Sequence, residues 1–177
     1  MPEGASGMPA IIIPRKTVGE IARIAKDNKG DIGIEISATK IRITAVRAEH
    51  SSLYVWRNPA TNADEVHVGG EPVGFIIELE DGQKIYHMGD TGLFGDMKFI
   101  GEYYKPDVVL IPIGGNFTMD PTDAAYATKE WLKPRTVIPM HYGVNPLAKG
   151  TAPQFQQALG NAPVKLITLK PGEKAEF

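Results

Sequence analysis

The chain has 177 residues with 42% hydrophobic and 23% charged side chains, a balance that suits one soluble domain able to bury a core. Its formal net charge of −2 gives no electrostatic reason to expect DNA, RNA or an anionic membrane as partner. Cysteine is absent, which excludes disulfides, thiolate metal sites and thiol nucleophiles together and leaves four His and the carboxylates as the strong metal ligands. No apolar run approaches a membrane span and no segment reads as a signal peptide, so the expectation is a cytoplasmic protein.

Residues 1–9 are rich in Gly, Ala and Pro and are expected to form a frayed tail, with 10–177 as a single domain. Residues 10–14 read as a short strand stopped by Pro14. Residues 17–28 have helical spacing, with Val18, Ile21 and Ile24 on one face and a Thr17–Glu20 capping box at the start. Residues 31–37 and 40–46 alternate strictly and predict two antiparallel strands. The stretch 47–70 is polar and reads as irregular. Strands over 73–79 and 84–88 around Glu80-Asp81-Gly82-Gln83 predict a hairpin. Thereafter helices over 94–104, 121–132 and 153–159 alternate with strands over 107–112, 136–139 and 164–169, the pattern of an α/β sheet covered by helices.

Three candidate ligands share one kind of position. His50, Asp90 and His141 each lie just beyond the C-terminal end of a predicted strand, and such ends converge on one edge where loops build ligand sites. Two imidazoles and a carboxylate suit Zn²⁺, with Mn²⁺ or Fe²⁺ as alternatives, and leave positions for water. Their separations in sequence match no short metal motif, so spacing alone does not single them out. Of the other candidates, His87 reads as a hydrogen-bonded structural residue in preference to a ligand, and His67 as solvated. Gly114-Gly115 reads as a tight turn or an anion cradle, and Asn116 as a turn residue or a substrate contact. Thr118, Tyr142 and Arg47 are lesser candidates for a pocket, and Arg15-Lys16 reads as a solvated helix entrance.

Local motifs sharpen this reading. Ile85-Tyr86-His87-Met88-Gly89-Asp90-Thr91-Gly92, Ile111-Pro112-Ile113-Gly114-Gly115-Asn116-Phe117-Thr118-Met119 and Val137-Ile138-Pro139-Met140-His141-Tyr142-Gly143 resemble successive signatures of small metal-dependent hydrolases of the metallo-β-lactamase superfamily. Gly69-Gly70-Glu71-Pro72-Val73-Gly74-Phe75 and Leu169-Lys170-Pro171-Gly172-Glu173 resemble it too, so the likeness covers about 44–177. It implies half of an αββα sandwich, with His50, Asp90 and His141 as metal ligands. Asp90 is the residue that in the family bridges two metals, and so the catalytic candidate. It implies a hydrolase acting on a small ester, phosphoester or lactone-type substrate. The family's His-x-His-x-Asp-His loop, which carries further ligands and the water-orienting Asp, is found nowhere in the sequence, so turnover is expected to be weak or promiscuous. Ile11-Ile12-Ile13-Pro14-Arg15-Lys16-Thr17-Val18-Gly19-Glu20, with Glu35 to Arg42, resembles an internal piece of a bacterial DNA polymerase sliding clamp. That resemblance implies a chimera whose residues 10–43 add a helix and a hairpin. The sheet face left open in such a half-sandwich leads to the expectation of a homodimer that rebuilds it. The alternative is an inactive chimera with a vestigial metal site.

Overall fold

The computed structural model describes residues 41–143 and 146–177, which belong to one compact unit, Thr39–Phe177. The expected tail, the strand over 10–14, the helix over 17–28 and the strand over 31–37 lie outside the described residues. Eight strands are described: β1 Arg42–Arg47, β2 Leu53–Arg57, β3 Asp64–Val68, β4 Val73–Glu78, β5 Lys84–His87, β6 Val108–Pro112, β7 Thr136–Met140 and β8 Lys165–Leu166. Three helical segments join the later strands: α1 Asp96–Tyr104, α2 Pro121–Tyr126 continuing into a π-helical stretch Ala127–Leu132, and α3 Ala152–Leu159.

Six strands form one sheet in the order β1-β4-β5-β6-β7-β8, with β1, β4 and β5 antiparallel in turn and β5 to β8 parallel. Register places Thr44, Ile76, Tyr86, Val109, Val137 and Leu166 in one row across all six strands. From Ile76 to Val137 that row is buried. It belongs to the core shared with Met97 and Ile100 of α1, Ala124 of α2 and Phe155 of α3. Side chains of period 2 on the strands meet the apolar stripes of the helices, which is the physical origin of this layer. Tyr86 occupies its centre with no hydrogen-bond partner for its hydroxyl among the described residues, and burial pushes its pKa well up.

The opposite face holds the row Ala45-Phe75-His87-Leu110-Ile138. It is closed over β6 and β7, where Val108 and Ile138 are buried, and open over β1 and β4, where Ile43 is 63% and Phe75 40% exposed.

Helix ends follow local chemistry. Asp120 accepts from the Thr122 and Asp123 backbone N–H groups at 2.8 and 2.9 Å, with Pro121 at the first turn of α2. Thr151 caps α3. The expected helix over 121–132 is continuous but widens after Tyr126. There Thr128 Oγ1 donates back to the Ala124 carbonyl at 2.7 Å, and the Lys133 N–H reaches five residues back to Thr128.

Two expectations need correction. The stretch 47–70 is not irregular: β2 and β3 pair as an antiparallel ribbon in register Leu53↔Val68 to Arg57↔Asp64. Averaged polarity hid two runs, Leu53-Tyr54-Val55-Trp56 and Val66-His67-Val68, around a turn in which Asn62 takes φ 55° and the Asn58 side chain accepts from the Ala60 N–H at 2.9 Å. The last strand is two residues long, not six. Beyond Leu166 only the Ile167 N–H still bonds β7, at the Val137 carbonyl.

Candidate metal centre

Because β1 runs in the same direction as β5 through two antiparallel pairings, the C-terminal ends of β1, β5, β6 and β7 all reach one edge of the sheet. Each candidate ligand follows one of those ends. Thr91, fully buried, ties the loops together. Its hydroxyl accepts the Glu49 N–H at 2.9 Å, its carbonyl accepts the Met119 N–H at 3.0 Å, and the Gly92 N–H returns to the Glu49 carbonyl at 2.8 Å. The loop carrying His50 is thus stitched to the loop carrying Asp90. On the far side the Ile113 N–H donates to the Met140 carbonyl at 3.1 Å, and a Cβ on Gly114 would overlap the His141 carbonyl oxygen. Thr91 is a residue that the sequence motif contained without revealing its role, because two of its partners, Glu49 and Met119, are remote in the chain.

Asp90 and His141 meet. His141 Nε2 lies 3.4 Å from Asp90 Oδ2, with the two side chains 38% and 53% exposed. Two donors held about 2.1 Å from one tetrahedral ion stand about 3.4 Å apart, so this pair has the spacing of two ligands on a shared edge. His141 takes φ 55°, a left-handed conformation unusual for a residue with a Cβ. Such local strain is common where a side chain must be aimed at a site.

His50 is not in the cluster. Among the described residues no group of three His, Asp or Glu side chains is close enough to hold an ion. Its ring, half-buried, is 2.6 Å from the Ser51 carbonyl through Nδ1. With the Nδ1 proton donated there, Nε2 keeps the lone pair that a ligating imidazole needs. The donor set therefore fits a divalent ion in its chemistry and in the spacing of two members, while the third points elsewhere.

The remaining candidates separate cleanly. His87 is half-buried and its Nδ1 accepts the Gly89 N–H at 3.2 Å. His67 lies on β3, stacked on Tyr54 at 5.3 Å and 3.4 Å from Glu65. Asn116 takes φ 63° and is exposed, and Gly115 takes φ 76° with its N–H bonded to the Met119 carbonyl, so this segment is a tight turn. Arg47 is engaged by Glu49 at 2.7 Å and Asp96 at 3.6 Å. The Thr118 hydroxyl is buried without a partner among the described residues. A cavity of about 770 Å³ opens against the Gly114-Gly115 loop, lined by Asn116, Asp120, Lys149 and Gln154 among others, and none of the three candidate ligands lines it. Among the described residues no helix is long and apolar enough to cross a membrane.

Comparison with known proteins bears on the fold and the family. Residues 16–141 match the family described as the beta-lactamase superfamily domain. That match runs back through most of the segment resembling a sliding clamp, and the comparisons give no support to a fusion. The chain is 69% identical over 140 residues to a metal-dependent hydrolase of Polaromonas sp., covering 79% of this chain and 51% of that protein. It is 38% identical over 173 residues to a metal-dependent hydrolase of Methanobrevibacter smithii, covering 93% of this chain and 70% of the relative. Among solved structures it is similar to a metallo hydrolase of Ignicoccus hospitalis, with a TM-score of 0.64 and 36% identity over 89% of this chain and 66% of that one. The chain spans about half the length of relatives such as that of Polaromonas.

Proposed function

The chain belongs to the metallo-β-lactamase superfamily, and from that premise we propose that it is a metal-dependent hydrolase acting on an ester, phosphoester or lactone-type substrate with weak or promiscuous turnover. The observation that carries this reading is the 3.4 Å approach of His141 to Asp90 at the sheet edge. Asp90 and His141 hold the ion, and His50 completes the set by turning its free Nε2 from the Ser51 side, its backbone being already anchored through Glu49 to Thr91 and Gly92. Zinc is the proposed metal, with manganese or iron as alternatives. When bound it would bring the pKa of a water toward neutrality and polarise a carbonyl or phosphoryl oxygen. Asp90 is the catalytic candidate because its carboxylate both holds the ion and faces the open edge. Among the described residues no other side chain is placed as a general base, which is the reason for expecting slow turnover.

The test is hydrolysis of a panel of activated esters and phosphoesters by zinc-loaded protein. Turnover that disappears with a chelator and returns with zinc is the expected result. Absence of metal-dependent turnover with zinc still bound would favour the second reading, a structural or vestigial ion site, which the divergence of His50 supports.

We also propose a homodimer. Along the ribbon, Leu53, Val55, Val66 and Val68 share one face, with Val55 65% and Val68 78% exposed, and an isolated two-stranded ribbon is at best marginally stable in water. With Ile43 and Phe75 on the open part of the sheet, these exposed apolar side chains are the surface that a second copy would cover. Native mass spectrometry should report a metal-carrying dimer; a metal-bearing monomer would remove the dimer and leave the hydrolase reading intact.

A further inference from the structure

Asp90 leaves a turn with little freedom of its own. Gly89 takes φ 67°, and a Cβ there would lie 2.6 Å from the Val73 carbonyl oxygen, so both the dihedral and the space demand glycine. Across from it a Cβ on Gly74 would stand 3.0 Å from the carbonyl oxygens of His87 and Met88. The end of β5 is therefore clasped against the start of β4.

One side chain acts on this turn directly. His87 Nδ1 accepts the Gly89 N–H at 3.2 Å. A nitrogen that accepts carries no proton, so the neutral ring bears its hydrogen on Nε2. Register sets His87 between Phe75 and Leu110 on the same face of the sheet.

We infer that His87 is a positioning residue: by holding the Gly89 N–H it sets the direction in which the Asp90 carboxylate leaves β5, and with it the approach to His141. The purpose of this device rests on the hydrolase reading; its geometry does not. A side chain that accepts from the N–H two residues on is what Asn does in an Asx turn. Asparagine at 87 would keep the acceptor, and alanine would delete it.

The experiment uses the full chain, first without metal. Long-range ¹H–¹⁵N spectra of the wild type should show a bare Nδ1 and a protonated Nε2. Gly89 amide exchange should be at least about tenfold faster in His87→Ala and close to wild type in His87→Asn. Titration with zinc should then show affinity lowered roughly 10–100-fold in His87→Ala and within about threefold of wild type in His87→Asn. A proton on Nδ1, an unchanged Gly89 amide in His87→Ala, or equal loss in both variants would overturn the inference. If the wild type binds none of zinc, manganese and iron, the hydrolase reading falls, while the tautomer and the Gly89 amide still decide the role of His87.

Discussion

Replacing His141 with alanine should lower zinc affinity by about a hundredfold or more, roughly 2.7 kcal/mol, and turnover of activated esters by at least as much. The fold should survive, with stability changed by no more than about 0.5 kcal/mol. Both halves of this expectation come from the same geometry. The imidazole is 38% exposed and its described ionic contact is Asp90, so it contributes little packing. Without it the ion would keep only Asp90 and His50, and two donors hold a divalent ion far more weakly than three. Alanine inherits φ 55° at this position, and asparagine tolerates that region better. His141→Asn is therefore the companion variant: it should match His141→Ala in metal loss while melting no lower. Isothermal titration with zinc, alongside a thermal melt, reads both. Wild-type zinc affinity in His141→Ala would remove His141 from the site and leave the assignment without its central pair.

Gly150→Ala should do the opposite, damaging the fold first. A methyl there would overlap the Ile113 carbonyl oxygen and stand 3.1 Å from Pro121 Cδ. Moving Gly150 away would break the bond from its N–H to the Gly114 carbonyl at 3.0 Å, and Gly114 is packed against the His141 backbone. Overpacking against backbone cannot be relieved by a rotamer change, so a loss of about 3 kcal/mol is expected, corresponding to a fall in Tm of roughly 6–12 °C for a chain of this size. Gly95, where a Cβ meets nothing within 4 Å, provides the control, and Gly95→Ala should stay within about 1 kcal/mol of wild type. A Gly150→Ala protein melting within about 2 °C of wild type would show that the loop from Ala148 to Gly150 packs differently in solution.

Much of this fold could be read along the chain. Alternation in 73–79 and 84–88, the Gly82 turn between them, and Asp120-Pro121 at a helix start are local signals, and each appears where local chemistry puts it. The ribbon of β2 and β3 was equally local, yet its flanking charges and the Asn58-Pro59 turn lowered the average enough to hide it. Residues 1–40 contribute nothing to this comparison, since they lie outside the described residues.

For the candidate site, the sequence alone placed His50, Asp90 and His141 beyond strand ends, because strand periodicity and the residues that stop a strand are short-range properties. Which of them meet was decided by the tertiary structure. Strand order and register bring Asp90 and His141 to 3.4 Å, while a local contact turns His50 toward Ser51. They also make Thr91 the bond between three loops. Periodicity states which face of a strand a side chain occupies, but its neighbours across the sheet depend on non-local pairing. That pairing is specified by the packing of the whole layer, and no short window of sequence contains it.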